Sequence, residues 1–449
     1  MARRAAQPAA DLARLRSECW WWASCGDDLT PRRPLQGDLD ADVAIVGGGM
    51  TGLWTARSLA EADPSLRIVV LEAASCGFGA SGRNGGWASA LFPGEPSWAH
   101  EPMVAALDEL LAALRADLID AHVAHGGTLT FATSPAHVER VRAVAAEPGQ
   151  RWLDREEAGR LARPEPLFGA AATPHCAAVH PARLVRGLAR AVEGRDVRIF
   201  EGTRVTGLEP GRATTHGGVV RAPAVLRCVE GFTPTMPGLR RALLPVYSLM
   251  IATAPLPDRV WDDIGLHERE TFTDGRHLLV YGQRTADGRL AFGGRGAPYH
   301  YGSQVRPRFD LHPRTFAALE ATLRTMFPAI ADHAITHRWG GPLGIPRDWA
   351  ASVGFDHTTG LGWAGGYVGD GVTTTNLAGR TLADLVLGRD TPLTRLPWVG
   401  HRSPKWEPEP LRWAGVNATR ALAAVGDRRE ARTGRPARVV DGLLARLQH

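Results

Sequence analysis

Apolar positions along the chain alternate between two periods, and the switches between them lay out the elements. Asp42-Val43-Ala44-Ile45-Val46 is a short apolar run of strand type, Gly47 to Gly52 is a turn, and Leu53-Trp54-Thr55-Ala56-Arg57-Ser58-Leu59 has helical spacing. Arg67 to Leu71 predicts a second strand. After the breakers Pro93 and Gly94 the spacing predicts a long helix from Met103 to Val123, with Leu107, Leu110, Leu111, Leu114, Leu118 and Ile119 on one face. A strand over Thr128–Phe131 and helices over 135–146, 155–163 and 180–193 follow. Strands are then expected over 197–200 and 203–208, with two more within 219–229. Leu244 to Ile251 reads as a strand, and His277–Arg284 with Leu290–Gly296 reads as a hairpin turning at Asp287-Gly288. Alternation along its first arm puts Leu279, Tyr281 and Gln283 on one face. A helix over 313–327 precedes the run His337 to Gly344. Late in the chain, strand Leu361–Gly365 leads through a glycine loop into a helix over Thr373–Leu387, with Leu377, Ala378, Leu382, Leu385 and Val386 as its buried face.

The first of these stretches carries chemistry. Strand, glycine turn and helix in that order form a dinucleotide fingerprint. Gly47 allows the tight turn, Gly49 lets a pyrophosphate approach the backbone, and Gly52 lets helix and strand pack closely. Glu72 ends the second strand 20 residues after Gly52, where an acidic side chain accepts hydrogen bonds from an adenosine ribose. NAD and FAD fit this much equally. Directly behind Glu72 lies a second glycine-rich loop, Cys76-Gly77-Phe78-Gly79-Ala80-Ser81-Gly82-Arg83-Asn84-Gly85-Gly86. With this loop the chain resembles the flavoprotein amine and amino-acid oxidases of the D-amino-acid oxidase superfamily, most closely the gamma-glutamylputrescine oxidase-like branch.

The resemblance implies an α/β fold: a discontinuous Rossmann-type FAD-binding domain and a substrate domain with a mainly antiparallel sheet and flanking helices. The expected division is an N-terminal arm (1–40), an FAD-binding domain (41–90, 171–235 and 346–390), a substrate domain (91–170 and 236–345) and a C-terminal extension (391–449). Candidate cofactor contacts are Gly47, Gly49, Met50, Thr51 and Gly52 on the first turn, and Glu72 and Ala73 at the acidic strand end. Gly79, Ala80, Ser81, Arg83, Asn84, Gly85 and Gly86 follow on the second loop. The resemblance adds Val205, which would hold adenine through its backbone, and Gly344. It also adds Gly369, Gly371, Val372 and Thr373 at the start of the late helix, which relatives aim at the flavin pyrimidine carbonyl. At Glu230 many relatives have asparagine, and at Asp370 many have histidine.

A flavin takes a hydride equivalent from the carbon beside an amine nitrogen, and the imine left behind is hydrolysed by water. The protein's task is then positioning, so the candidate substrate residues are Tyr247, Tyr281 and Trp339 as aromatic walls and Arg295 as a carboxylate partner. Asp370 is expected to favour a cationic amine. The expected substrate is a small amine or amino acid, with oxygen or another electron acceptor as co-substrate. Several relatives place a lysine above the flavin to promote reaction with oxygen, but the stretch Leu290 to Arg295 has none, and Lys405 is the sole lysine among 52 basic residues. An electron-transfer dehydrogenase and a flavin-binding module of an RNA-modifying complex are the alternatives. Without a cysteine near Trp339–Gly344, FAD is expected to be non-covalent.

Composition narrows the rest. At 449 residues and 44% apolar, the chain is long enough for two domains. It has no membrane-span run and no signal-peptide pattern, which makes the cytoplasm the expected compartment. Five scattered cysteines argue against a disulfide framework or a zinc site. The pairs His122/His125 and His333/His337 lack a third ligand, so no metal is expected. The net charge of +5 comes from dispersed arginines, and no basic stripe interleaved with aromatics points to nucleic acid.

Overall fold

The computed structural model describes residues 2–448 apart from Glu95, with side chains over 10–444. Apolar runs without polar alternation form strands buried on both faces, and Val43–Val46 and Ile68–Leu71 are of this kind. They sit in a six-stranded sheet whose order is Ser352–Asp356, Leu361–Gly365, Ala224–Arg227, Val43–Val46, Ile68–Leu71, Arg198–Phe200. All neighbours in it are parallel except the first pair. Helix Met50–Ala62 packs between helices Gly371–Val386 and Pro181–Glu193. Gly379 has its Cα against Trp54 and Thr55, a closeness that any side chain would block.

The long helix expected over 103–123 spans His100–Ala116 instead. It stops because Leu118 takes a positive φ of 53° and turns out into solvent. Met103, Leu107, Leu110 and Leu114 join the same core as Leu53 and Leu377. This corrects the assignment of residues 91–170 as one substrate-side block, since the helix belongs with the dinucleotide sheet. His122 and His125 also lie outside any helix.

The second sheet has eight strands, and Thr128–Phe131, Arg151–Leu153 and Ala170–Thr173 at one end continue into Thr271–Asp274, Val280–Arg284, Leu290–Gly294, Leu244–Thr253 and Ile335–Ile345. It is antiparallel apart from the pairing of Thr128–Phe131 with Thr271–Asp274. Alternation along Leu244–Thr253 divides its side chains between two cores. Tyr247, Leu249 and Ile251 pack behind the sheet under helix Pro313–Met326, while Met250 and Ala252 pack on the opposite face.

The arm and the tail are both docked. Helix Ala2–Glu18 is followed by a turn of helix, Trp20–Ala23, which buries Trp21 and Trp22. Beyond it, Asp27 pairs with Arg186 at 2.7 Å, and Arg32 pairs with the fully buried Glu201 at 3.1 Å. The tail ends in a helical hairpin, Leu411–Thr433 and Arg438–Gln448. Its inner carboxylates close on the second sheet: Asp427 lies 2.8 Å from His277 Nδ1 and Asp441 2.6 Å from His277 Nε2, while Arg140 donates to Glu430 at 3.1 Å.

The bond to Asp427, then that to Asp441, outweighs burial and raises the His277 pKa above its ordinary value. A raised histidine pKa stabilises the docked form fully below about pH 6.5, and the contribution fades as pH rises through the raised value. Proteolytic cleavage within 434–437 is therefore expected to accelerate on the alkaline side in the parent protein. His277→Gln should remove that pH dependence.

Candidate functional site

The two glycine loops meet. Ser81 Oγ accepts the N–H of Met50 at 2.9 Å, so the second loop closes over the first turn of helix Met50–Ala62. Gly47 has a φ of 113°, and a Cβ on Gly52 would collide with the Gly47 carbonyl, so both positions require glycine. The N-cap of helix Met50–Ala62 is Gly49, which has no side chain to cap it, so with Met50 N–H taken by Ser81 the N–H groups of Thr51 and Gly52 are left for an anion. Glu72 accepts the N–H groups of Gly48 and Ala74, each at 2.8 Å, and holds the strand end against the turn. Burial raises its pKa against the pull of those two N–H groups.

The late helix Gly371–Val386 also begins without a side-chain cap, and the hydroxyl of Thr373, on its first turn, is buried with no partner among the described residues. Val368 just before it has a φ of 56°, a costly conformation for a β-branched residue and one that concentrates at functional sites. Two uncapped helix starts, a glycine cradle and an orphaned hydroxyl fit FAD: the Gly47–Gly52 turn and Glu72 suit its ADP half, and the Gly369–Thr373 turn suits its ring.

Arg83 and Asn84 act on the loop itself. The guanidinium of buried Arg83 donates to Asp310 at 2.9 Å and to the Gly340 carbonyl at 2.8 Å, so its side chain ties the loop to the second sheet. The arginine expected beside the cofactor is thus also the tie between the loop and that sheet. Asn84 donates to the carbonyls of Ala80 and Ser81 and accepts from Gly86 N, which fixes the turn containing Gly85 and Gly86. Gln283 donates to the carbonyls of Gly85 and Gly86 from the facing strand. The arm contributes as well. Trp21 Nε1 donates to the Asn84 carbonyl at 2.9 Å, and the Trp22 ring covers Gly77 and Gly82. Val205 is half-buried at the start of a strand of a separate four-stranded sheet.

Glu230 is the feature that sequence reasoning left without a role. Its carboxylate accepts the N–H of Gly344 at 2.7 Å and those of Gly366 and Tyr367 at 3.0 Å each. It thereby joins the end of strand Ile335–Ile345 to the glycine loop before the late helix. Its φ of 40° is in the left-handed region, which asparagine tolerates better than glutamate does. Burial pushes its pKa up to about 7 against those three N–H groups.

Of the five candidate substrate residues, three converge. Tyr281 packs against Gly85 and Gly293, and its hydroxyl lies 2.7 Å from Ser248 Oγ. Arg295 donates to the Val368 carbonyl at 2.9 Å, and its guanidinium lies 5.8 Å from the Trp349 ring centre. Asp370 stands two residues beyond Val368, half-buried; burial raises its pKa and Arg295 pulls it back down. Its carboxylate has no hydrogen-bond or ion-pair partner among the described residues.

The other two candidates are displaced. Tyr247 is on the back of the sheet, edge-on to Phe309 and His300, because odd positions of Leu244–Thr253 face helix Pro313–Met326. Trp339 is sealed under the arm against Trp21, with Nε1 donating to the Arg83 carbonyl. Neither is a wall of the site. Trp406 from the tail packs with Leu244, Ile345 and Val368 beside it.

Comparisons with known proteins follow this geometry. Residues 42–385 match the model of the family described as DAO: FAD dependent oxidoreductase. A probable oxidoreductase OrdL from Rhizobium meliloti (strain 1021) is 32% identical over 408 residues, covering 82% of this chain and 88% of the relative. A gamma-glutamylputrescine oxidoreductase from Escherichia coli (strain K12) is 28% identical, with the same coverage of both chains. Among solved structures, glycine oxidase from Geobacillus kaustophilus superposes with a TM-score of 0.67 at 24% identity, over 82% of this chain and 100% of that one.

Proposed function

Because the chain belongs to the DAO family of FAD-dependent oxidoreductases, we propose that it oxidises the C–N bond of a small amine that also carries a carboxylate. The observation that supports this most directly is that Arg295, held on the Val368 carbonyl, stands near an Asp370 carboxylate that has no partner among the described residues, at the start of the late helix. An ammonium group would give Asp370 the partner it lacks, and a carboxylate would bind the free edge of Arg295. Glycine and gamma-glutamylputrescine, named in two of the relatives, each contain both groups. Bound FAD supplies the two-electron acceptor for a hydride equivalent from the carbon beside nitrogen. Asp370 and Arg295 orient that carbon, and Tyr281, fixed by Ser248, excludes water from one side. The imine product takes up water to give a carbonyl compound and a free amine or ammonia. With oxygen as the acceptor, the two electrons and two protons would leave as hydrogen peroxide.

Asp370→Asn is expected to raise the KM for the amine about tenfold or more while FAD stays bound, as removal of a charge-assisted hydrogen bond predicts. An unchanged KM and amine preference would reject the assignment. Acceptor choice is a separate reading. The stretch Leu290–Arg295 has no lysine, and Lys405 is exposed in the tail. A peroxide yield in air far below one per amine consumed, restored by a quinone or dye, would identify a non-oxygen acceptor.

A further inference from the structure

The C-terminal hairpin sorts its charges by face. On helix Leu411–Thr433, Ala423, Gly426, Asp427 and Glu430 recur at i, i+3, i+4 and i+7, and the last two carry the contacts to His277 and Arg140. Val425, Arg428, Arg429 and Arg432 recur with the same spacing on the other side, and all four are exposed. Helix Arg438–Gln448 repeats the division: Val440 and Asp441 face inward, and Val439 and Leu443 stand out at 70% and 42% exposure. Arg435 and Arg438, in and after the connection, are exposed too. The hairpin's carboxylates are therefore drawn inward, while five arginines and three aliphatic side chains stand on its outer face. Arg438 approaches Glu139 at 3.9 Å, and the other four arginines have no carboxylate within 4 Å among the described residues.

We propose that this outer face of the hairpin docks the enzyme on an anionic phospholipid membrane surface. Arginines flanking protruding aliphatics suit a bilayer interface, where guanidinium groups meet lipid phosphates and the aliphatics enter the acyl boundary. A nucleic-acid surface would use aromatics for base stacking, and this outer face has none; the exposed Trp413 stands at the start of helix Leu411–Thr433, about four turns from Arg428 and off that face. The face is a docking surface and not a span, since no described helix is long and apolar enough to cross a membrane. Each arginine near such a surface changes partitioning by about fivefold.

The test is flotation of the FAD-loaded protein, residues 1–449, with two kinds of vesicle, one of pure phosphatidylcholine and one rich in phosphatidylglycerol. The protein is expected to float with the second at physiological salt, to stay behind with the first, and to be released by high salt as screening shortens the range of the attraction. The triple variant Arg428→Glu, Arg429→Glu, Arg432→Glu should lose about a hundredfold or more in partitioning. Val439→Ser with Leu443→Ser should keep the low-salt attraction and lose what resists salt. All these side chains are exposed, so melting temperature and turnover of a soluble amine should match the parent protein. Equal flotation with both vesicles, flotation with neither, or partitioning untouched by the triple variant would overturn the proposal. So would arginine-dependent retention of a short DNA or RNA duplex by a protein that ignores both vesicles.

Discussion

Replacing Arg83 with methionine is expected to destabilise the protein by about 3–5 kcal/mol and to lower its melting temperature by roughly 3–5 °C. Arg83 and Asp310 are both nearly inaccessible, and their 2.9 Å contact joins the second glycine loop to the turn Pro307–Asp310, beside the bond from Arg83 to the Gly340 carbonyl of the second sheet. Methionine keeps the volume of the stem and removes the charge. Asp310 then retains only Arg14, at 3.3 Å and partly in solvent, and the Gly340 carbonyl loses its donor. A buried charge without its partner is the costly situation, whereas removing both members costs much less. The double variant Arg83→Met, Asp310→Leu should accordingly recover a large part of the loss. FAD affinity should fall in the single variant, because Gly79 to Gly86 are held in place from Arg83. Thermal unfolding of the two variants with and without FAD checks both statements. A single-variant loss below about 1 kcal/mol would show that the pair contributes little.

Substitution of Glu230 by alanine is expected to be comparably severe, through backbone groups. Its carboxylate is the acceptor for the N–H groups of Gly344, Gly366 and Tyr367, and each orphaned buried donor costs about 1–3 kcal/mol. Those three groups bracket the region where strand Ile335–Ile345 meets the late helix, so flavin binding should weaken with stability. Glu230→Gln, which still offers an acceptor, should retain more of both. The pH dependence has a definite sign. A carboxyl group whose pKa is raised to about 7 favours the folded state most when protonated. Its contribution is complete below the ordinary glutamate value of about 4.3 and is lost as pH rises through about 7. The parent protein should lose stability across that window, and Glu230→Gln should lose less. Urea midpoints measured at several pH values distinguish the two.

Local signals were legible wherever one chain segment carries its own reason. The turn Gly47–Gly52, the spacing to Glu72 and the glycine loop before Thr373 need no distant partner to be recognised, and the six-stranded sheet grows from them. The tie from Arg83 to Asp310 was not legible because a lone arginine in a glycine loop looks the same whether or not it also meets a carboxylate more than 200 residues away. Tyr247 and Trp339 failed for a related reason. Period-2 alternation says which residues share a face, but the packing of helix Pro313–Met326 and of the Trp21–Trp22 arm decides which face is sealed. Helix His100–Ala116 was placed on the wrong side because its leucine stripe suits either core. Glu230 attracted notice only as a departure from an asparagine, since its role depends on three backbone donors from two distant segments.

The proposed chemistry requires an amine to give up its electrons inside this cradle. The direct measurement is an anaerobic titration of the FAD-loaded protein with a panel of amines and amino acids, following loss of the oxidised-flavin absorption band. Compounds that carry both an ammonium and a carboxylate should bleach it, at concentrations that rise when Asp370 is changed to asparagine. A flavin that dithionite reduces but that no amine in the panel bleaches would contradict the account.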